Sequence, residues 1–243
     1  MIKKLVKSIK KRLLGVTSKE LLDDLKLGGA VIGNGTYVFD TKNVFIDPTR
    51  PWLLNICSYV KITRGVCILT HDYSLSVLRR KYGEWIGEGA ETVIGDNCFI
   101  GMNSIILMGA RLGNNCVVGA GTILTGEYPS NVVIAGNPGR VIHSLDEYYN
   151  SRTAKSDKEA VRCAQLYYER VGKVPEPRDL SGFKFLFTPR KKDFIDRYGL
   201  SFECSGDDKN EVEQSFYNTQ PKWKSFEEFI KFSIPEIEDV KIL

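Results

Sequence analysis

The amino-acid sequence predicts a mainly β fold: a left-handed parallel β-helix with an N-terminal amphipathic helix and a C-terminal, mostly helical extension. Three observations predict it. The first residues place apolar side chains among basic ones at helical spacing, aliphatic residues recur at every sixth position through the middle of the chain, and the composition then becomes aromatic, charged and free of repeats. We therefore divide the 243 residues into a helical segment over 1–27, a β-helix over 28–144 with an inserted loop at 74–92, and a helical extension over 145–243.

The N-terminal segment has the pattern of a basic amphipathic helix. Ile2, Leu5 and Ile9 recur at helical spacing among lysines, and the first twelve residues contain no acidic side chain. Such a helix can lie on an anionic membrane surface. It can equally cap the end of the core domain, with its lysines simply in solvent. Both interpretations stay open.

The hexad repeat is strictest from residue 94 onwards. Its aliphatic position is occupied by Ile94, Ile100, Ile106, Leu112, Val118 and Leu124. A period of six fits neither a helix nor a flat strand, but it suits strands that turn a corner after every six residues, so that three strands complete one triangular coil. Each aliphatic side chain is then predicted to point inward and to stack on the one eighteen residues further along.

The upstream part of the repeat keeps the rhythm less strictly. The same aliphatic position is predicted at Ile32, Val38, Val44, Ile56, Ile62 and Ile68, with an interruption of phase between Asp47 and Leu53. Residues 74–92 break the hexad completely. A loop of that length inside a compact repeat is usually functional or binds a partner.

The C-terminal extension is predicted to begin with a helix over 146–173, ended by Pro175 and Pro177, and to continue with short helices over 181–233. Candidate buried positions are Leu145, Tyr148, Tyr149, Val161, Ala164, Leu166, Tyr168, Val171, Phe194, Ile195, Tyr198, Trp223, Phe226, Phe229 and Ile230. This extension could pack on the β-helix or mediate assembly.

Composition narrows the class of protein and its location. A net charge of +4 is too small for a dedicated nucleic-acid binder. The six cysteines form no CxxC pair and are expected to be reduced thiols. The sequence lacks an apolar stretch of membrane-spanning length and a signal-peptide pattern. We expect a cytoplasmic protein that contacts the inner membrane, if at all, through its N-terminal helix.

Several segments together resemble the hexapeptide acyltransferase superfamily, and within it the maltose, galactoside and capsular polysaccharide O-acetyltransferases. They are residues 68–74 (ILTHDYS), 93–101 (VIGDNCFIG), 119–122 (GAGT) and 135–142 (AGNPGRVI), and the resemblance covers roughly residues 30–143. The resemblance implies a homotrimer with sites at the subunit interfaces. It also implies acetyl-CoA as co-substrate, lying in the groove between neighbouring chains, and a carbohydrate acceptor.

His71 matches the general base of that family. A sugar hydroxyl is a poor nucleophile unless a base removes its proton during the attack, and a neutral imidazole does this well. His71 also stands at the last hexad before the long loop. By position in the family pattern, the backbone N–H of Met102 is the candidate donor to the oxyanion. No cysteine lies in the ILTHDYS segment that carries His71, so we predict direct transfer through a ternary complex.

The resemblance assigns a further set of residues to acetyl-CoA: Phe99, Gly101, Gly119, Ala120, Gly121, Thr125 and Arg140. Small residues would let the pantetheine arm approach the backbone, and a guanidinium suits a phosphate. Coil turns explain the glycines equally well, and Arg140 could simply be solvated. Two departures matter, because Phe99 stands where the family often has tryptophan and Gly126 where many relatives have lysine.

The loop and its entry supply candidates for acceptor binding. Tyr82 and Trp85 carry rings that can stack on a sugar face, and Asp72 follows the histidine directly. The aromatic residues could instead pack the loop, and Asp72 could be a structural residue of the loop exit. His143 lies outside the matching motifs and is expected to be structural or exposed.

The sequence therefore predicts an acetyl-CoA-dependent O-acetyltransferase acting on a sugar hydroxyl of a bacterial surface polysaccharide or its precursor. One alternative is N-acetylation of an amino sugar or aminated antibiotic, and another is a non-catalytic β-helix scaffold. A γ-carbonic anhydrase on the same fold needs three histidines for its metal. The chain has only His71 and His143, so no metal site is expected.

Overall fold

The chain divides into two compact units. The computed structural model describes residues 15–198, 202 and 205–237, and the division falls between residues 148 and 149. Among the described residues, no helix is both long enough and apolar enough to cross a membrane.

The first unit consists of short strands that form three sheets. In chain order the strands are β1 Val31–Ile32, β2 Tyr37–Val38, β3 Phe45–Ile46, β4 Leu54–Ile56, β5 Lys61–Ile62, β6 Cys67–Ile68, β7 Thr92–Ile94, β8 Phe99–Ile100, β9 Ile105–Ile106, β10 Arg111–Leu112, β11 Val117–Val118, β12 Ile123–Leu124, β13 Glu127–Tyr128, β14 Val132–Ala135 and β15 Arg140–Ser144. Most have two residues, as expected of strands interrupted by a corner in every hexad.

The three sheets are the walls of a coil. Sheet A contains β1, β4, β7, β10 and β13, sheet B contains β2, β5, β8, β11, β14 and β15, and sheet C contains β3, β6, β9 and β12. The chain visits A, B and C in turn, and all pairings are parallel except that of β14 with β15. The predicted parallel β-helix is thereby confirmed, while its left-handed sense stays a prediction.

The stacking of the aliphatic residues follows the hexad. The register aligns Ile94 with Leu112, Ile100 with Val118 and Ile106 with Leu124. All six side chains are buried and belong to one continuous core. Apart from β13, each two-residue strand buries one side chain, so the core is a column of these residues along the axis of the coil.

The first coil departs from the predicted phase at Val44. Ile46, rather than Val44, aligns with Ile68 and is buried, whereas Val44 is half-buried. The turn before this strand has two more residues than the matching turn one coil later. Asp40 holds the longer turn by accepting hydrogen bonds from the backbone N–H of Lys42 (3.2 Å) and the amide of Asn43 (2.7 Å). Assigning the hexad position to Val44 was therefore wrong by two residues.

Helix α1, Ser18–Leu27, precedes the first coil. Thr17 and Glu20 form a capping box at its start, and Leu22 and Leu25 are buried in the core of the coil. Helix α1 therefore covers the end of the core. The residues whose pattern predicts the basic amphipathic helix, within 1–14, lie outside the described residues, so that helix and its contact with a membrane stay predictions.

The inserted loop contains a helix of its own. Helix α2, Leu75–Tyr82, ends at Gly83, whose positive φ of 76° closes the last turn. An extended segment then leads back to β7, where Ile94 aligns with Ile56 and the hexad resumes. A one-turn 3-10 helix, Pro51–Leu53, lies at the same corner one coil earlier.

The second unit has a helical core. The helices of the chain beyond β15 are α3 Leu145–Val171, α4 Lys192–Arg197, α5 Lys209–Tyr217 and α6 Phe226–Ser233, with a 3-10 helix at Ser181–Leu186. Helix α3 confirms the helix predicted over 146–173. Aromatic side chains around Phe187, Phe226 and Phe229 are buried in this core against Ala160 and Ala164 of α3.

Three predicted buried positions on α3 are exposed. Tyr148, Tyr149 and Val171 have 37%, 66% and 51% of their surface accessible. We predicted burial for the large apolar residues of the helix. The aromatic core packs instead against a face of small side chains, Ala160 and Ala164. The middle of α3, and not its ends, is therefore the buried part.

Gly101 is expected to be required for coil stacking. A Cβ atom at this position would lie 2.6 Å from both the Ala120 nitrogen and the Val118 oxygen of the next coil. We expect Gly101→Ala to lower the free energy of unfolding by about 1–3 kcal/mol, as overpacking of a rigid core does. Urea denaturation followed by circular dichroism measures it. Gly87→Ala is the matched control, because a Cβ there meets nothing within 4 Å; equal midpoints for the two variants would contradict the expectation.

Candidate active site

His71 lies at the corner where the chain leaves sheet C for sheet A, which we name the C–A corner. Its side chain is 10% exposed, and its Nδ1 lies 2.6 Å from Oδ2 of Asp47. Asp47 directly follows β3 one coil earlier, and its backbone N–H donates to the Ile68 carbonyl at 2.9 Å. The parallel ladder between β3 and β6 thus holds the carboxylate beside the imidazole.

The Asp47 carboxylate is fully buried and surrounded by donors. Its Oδ1 accepts from the backbone N–H of Thr49 at 2.9 Å and from the Thr49 hydroxyl at 2.7 Å. Its Oδ2 accepts from the backbone N–H of Thr70 at 3.2 Å and also from the Thr70 hydroxyl. A buried carboxylate is tolerable only when hydrogen bonds replace its lost hydration, and this one has them on both oxygens.

These contacts determine the proton positions of the pair. Burial alone would raise the pKa of Asp47, but hydrogen bonds from Thr70, Thr49 and His71 outweigh it and hold the pKa well below its ordinary value. Asp47 is therefore a carboxylate at neutral pH and can only accept. A neutral imidazole at His71 then has its proton on Nδ1, and its Nε2 lone pair can take a proton.

Because the pKa of Asp47 is lowered by folding, the free energy of unfolding is expected to fall at acidic pH. The contribution of Asp47 to the free energy of unfolding is fully present above the pKa of an unfolded aspartate, about 3.9, and is lost as the pH falls below it. We expect the difference in unfolding free energy between the wild type and Asp47→Asn to shrink between about pH 5 and pH 3. Urea denaturation across that range measures it, and a difference independent of pH would contradict the assignment.

A cavity of about 460 Å³ opens beside His71. Its walls are formed by the entry to the inserted loop, by one side of α2, by residues 85–88 of the returning segment and by Arg50. All of these belong to the C–A corner. The inserted loop therefore builds the space in which a molecule could meet the imidazole.

The structure brings two of the three predicted acceptor residues into this cavity. Trp85 lines it and is 84% exposed, and Asp72 lines it as well. Both carboxylate oxygens of Asp72 accept from Ser74, at 2.7 Å from the backbone N–H and 3.0 Å from the hydroxyl, which supports its structural role at the loop exit. Tyr82 is exposed but does not line the cavity, and the ammonium of Lys81 lies 5.0 Å from its ring.

Met102 and the glycine-rich turn lie elsewhere, at the corner between sheets B and C, which we name the B–C corner. The Met102 carbonyl accepts from the Gly121 N–H at 2.8 Å, and the Met102 N–H has no acceptor among the described residues. Gly121 has a positive φ of 70°, and a Cβ there would meet nothing within 4 Å. At the neighbouring Gly119, a Cβ would lie 3.3 Å from that of Ala135. Coil packing thus accounts for Gly119, whereas Gly121 leaves its backbone open.

The remaining predicted cofactor residues are spread over the surface of the unit. Phe99 is 42% exposed on sheet B, and Ala120 is exposed at the B–C corner. Thr125, exposed at the C–A corner, donates its N–H to the Tyr128 hydroxyl at 3.2 Å. Arg140 is exposed on β15 and donates to the Gly139 carbonyl at 3.0 Å. His143 is exposed, as expected.

Within one chain, the C–A and B–C corners are the two ends of sheet C. Five residue steps, from Met102 to Leu107, cross that sheet, which at roughly 3.3 Å per step is about 16 Å. Proton transfer and oxyanion binding both require contacts near 3 Å from one reacting centre. One chain therefore does not bring His71 and the Met102 N–H together.

Sequence reasoning missed Asp47. The residue lies 24 positions before its partner His71 and appeared only as the start of a phase interruption. The hexad could have indicated it. With Ile46 in the inward position, aligned with Ile68, Asp47 lies beside the segment that carries His71. Because the inward position was assigned to Val44, this proximity was not predicted.

Comparisons with known proteins identify the family. A family model described as hexapeptide repeat of succinyl-transferase matches residues 91–126. Protein CapG of Staphylococcus aureus is 40% identical over 142 residues, which are 58% of this chain and 81% of CapG. The chain belongs to the hexapeptide-repeat acyltransferase superfamily. It is an acyltransferase.

Two further similarities concern acetyltransferases. Galactoside O-acetyltransferase of Escherichia coli is 46% identical over 54 residues, which are 22% of this chain and 27% of that enzyme. The crystal structure of a maltose O-acetyltransferase from Clostridium difficile is 28% identical with a TM-score of 0.34, and the match covers 49% of this chain and 72% of that one. Among the sequence relatives, the galactoside O-acetyltransferase supports acetyl as the group that is transferred.

Proposed function

We propose that this acyltransferase is an acetyl-CoA-dependent O-acetyltransferase that acts on a sugar hydroxyl of a bacterial surface polysaccharide or its precursor. The observation that carries the proposal is the Asp47–His71 pair at 2.6 Å, whose imidazole borders the cavity lined by Trp85. A base with a fixed tautomer next to an exposed aromatic ring suits a hydroxyl acceptor on a sugar.

The chemistry follows from this arrangement. Nε2 of His71 takes the proton of the hydroxyl as its oxygen attacks the thioester carbonyl of acetyl-CoA, and Asp47 stabilises the imidazolium that forms. The tetrahedral intermediate carries its negative charge on the former carbonyl oxygen, to which the Met102 N–H would donate. When the C–S bond breaks, the imidazolium returns the proton to the CoA thiolate. The products are an acetyl ester and CoA.

We further propose that the active enzyme is a homotrimer with each site shared between two chains. Support comes from the placement of His71 at one end of sheet C and of Met102 and Gly121 at the other. If the C–A corner of one chain faces the B–C corner of the next, acetyl-CoA can lie along the open backbone of Gly121 with its thioester at His71 of the neighbour. We place the enzyme in the cytoplasm.

The acceptor assignment has two supports. The segment ILTHDYS around His71 resembles enzymes that acetylate sugars of surface polysaccharides, and the E. coli relative is named for a galactoside hydroxyl. N-acetylation of an amino sugar is the competing possibility, because the same base can serve an amine.

The experiment measures thiol release from acetyl-CoA by the purified protein with galactose or galactosamine as matched acceptors. We expect release that depends on a hydroxyl acceptor, with equal amounts of CoA and of an ester that hydroxylamine cleaves. Transfer only to the amine, giving a hydroxylamine-stable amide, would favour N-acetylation. The absence of acetyl-CoA binding and of turnover with every acceptor would remove the proposal.

A further inference from the structure

Two guanidinium groups line the cavity beside His71. Arg50 comes from the segment between β3 and β4, and Arg79 comes from the last turn of α2. Arg50 donates to the backbone carbonyl of Glu88. Neither arginine forms an ion pair with a carboxylate among the residues that the structure describes. The protein thus presents to this cavity two guanidinium groups that form no ion pair with the described carboxylates.

The two carboxylates of the cavity are engaged in other ways. Asp72 accepts from Ser74 through both oxygens, and those hydrogen bonds keep its pKa below the ordinary value. Glu88 has its Oε1 buried with no hydrogen-bond partner among the described residues. Neither acid lies within ion-pair distance of Arg50 or Arg79.

Arg79 is positioned by an aromatic ring. Its guanidinium carbon lies 4.4 Å from the centroid of the Trp85 ring, a cation–π contact that leaves the N–H groups at the guanidinium edge free to bind an oxyanion. Trp85 remains 84% exposed. The ring and the charge therefore form one surface, on which a sugar can stack while a charged substituent reaches Arg79.

We propose that the acceptor carries an anionic group, a carboxylate or a phosphate, which Arg50 and Arg79 bind. This inference rests on the proposed function, since it takes the cavity as the acceptor side of that site. An uncharged acceptor would cover both guanidinium groups without replacing their hydration, and an ammonium group would be repelled. The phosphates of CoA are not the occupants, because the pantetheine arm separates them from a thioester placed at His71.

The test compares galacturonate and galactose 6-phosphate with uncharged galactose as acceptors. We expect kcat/KM to be at least about tenfold higher for one or both charged sugars, the size of effect that charge-assisted hydrogen bonds give. The better of the two identifies the anion. Arg79→Gln and Arg50→Gln should each remove most of that preference and leave the KM of acetyl-CoA unchanged. Arg80→Gln is the matched control, since Arg80 lies on the same helix outside the cavity lining.

A binding measurement keeps the test independent of turnover. Titration of the Trp85 fluorescence with the same sugars, with Trp85→Phe as the blank, should show tighter binding of the charged sugars in the wild type and in Arg80→Gln only. Equal or better use of galactose or galactosamine, or a preference that survives both arginine substitutions, would overturn the inference. Failure of acetyl transfer to every acceptor would remove the proposed function, while the titration would still decide the charge preference.

Discussion

Replacing His71 with alanine is expected to lower kcat by a factor of about 10² to 10⁴, the usual contribution of a general base. Without Nε2 the hydroxyl keeps its proton during the attack, and a charged alkyloxonium must form in its place. The affinity for CoA should be largely unchanged, because the imidazole acts on the acceptor. Steady-state thiol release gives kcat, and equilibrium titration with CoA gives the dissociation constant.

His143→Ala is the matched control for this substitution. His143 is exposed on β15, far along the chain from the Asp47–His71 pair, and it should keep the activity of the wild type. Retention of full activity by His71→Ala would rule out the role assigned to His71. Loss of activity in both variants to the same degree would show that the assay reports general damage.

Asp47→Asn is expected to lower kcat by a factor on the order of 10² to 10⁴, because the imidazole is then no longer held with its proton on Nδ1. The carboxylate only accepts and therefore places the proton on Nδ1. An amide can turn its N–H group towards Nδ1, which moves the ring proton to Nε2, the atom that must act as base. Asp47 is a positioning residue in this account, since it touches the imidazole and not the substrate.

The kinetic signature separates positioning from general destabilisation. A wrong tautomer should lower kcat while the KM of acetyl-CoA stays near that of the wild type. Asp96→Asn is the matched control, because Asp96 accepts the Ser58 N–H at 2.8 Å at the corner between sheets A and B and has no contact with His71. If Asp47→Asn raised the KM of acetyl-CoA as much as it lowered kcat, or left kcat unchanged, the tautomer argument would fail.

The hexad predicted the fold because it reports the geometry directly. A residue such as Ile100 is aliphatic because it points inward, and its neighbours in space, Ile62 and Val118, lie on the coils below and above it. Where a corner contains extra residues, the six-residue period no longer predicts which residue points inward. The Asp40 turn shows this, since its hydrogen bonds accommodate an insertion that shifts the inward position from Val44 to Ile46.

The active site was predictable only in part for the same reason. His71 belongs to a local motif, and its role follows from the chemistry of one side chain. Its partner Asp47 depends on the register between two coils, and the approach of Trp85 and Arg79 to the imidazole depends on the path of an irregular loop. No local pattern encodes such contacts between distant segments.

The glycines illustrate a second limit of sequence reasoning. Gly101 and Gly121 both lie at the B–C corner, on successive coils, and the sequence alone gives them the same possible roles. Only the structure distinguishes them, because the next coil occupies the space beside Gly101 whereas the space beside Gly121 is open. Of the two, we therefore assign only Gly121 to the path of the pantetheine arm.

We propose that His71 of one chain acts on acetyl-CoA held at the B–C corner of its neighbour, and mixing two inactive variants tests this arrangement. Ala120→Trp should block the groove at the exposed B–C corner, and His71→Ala removes the base. When the two variants are unfolded together and refolded as mixed trimers, every mixed trimer should contain a site with neither change, and thiol release from acetyl-CoA should return. Activity no greater than that of the separate variants, from trimers shown by native mass spectrometry to be mixed, would contradict a site shared between chains.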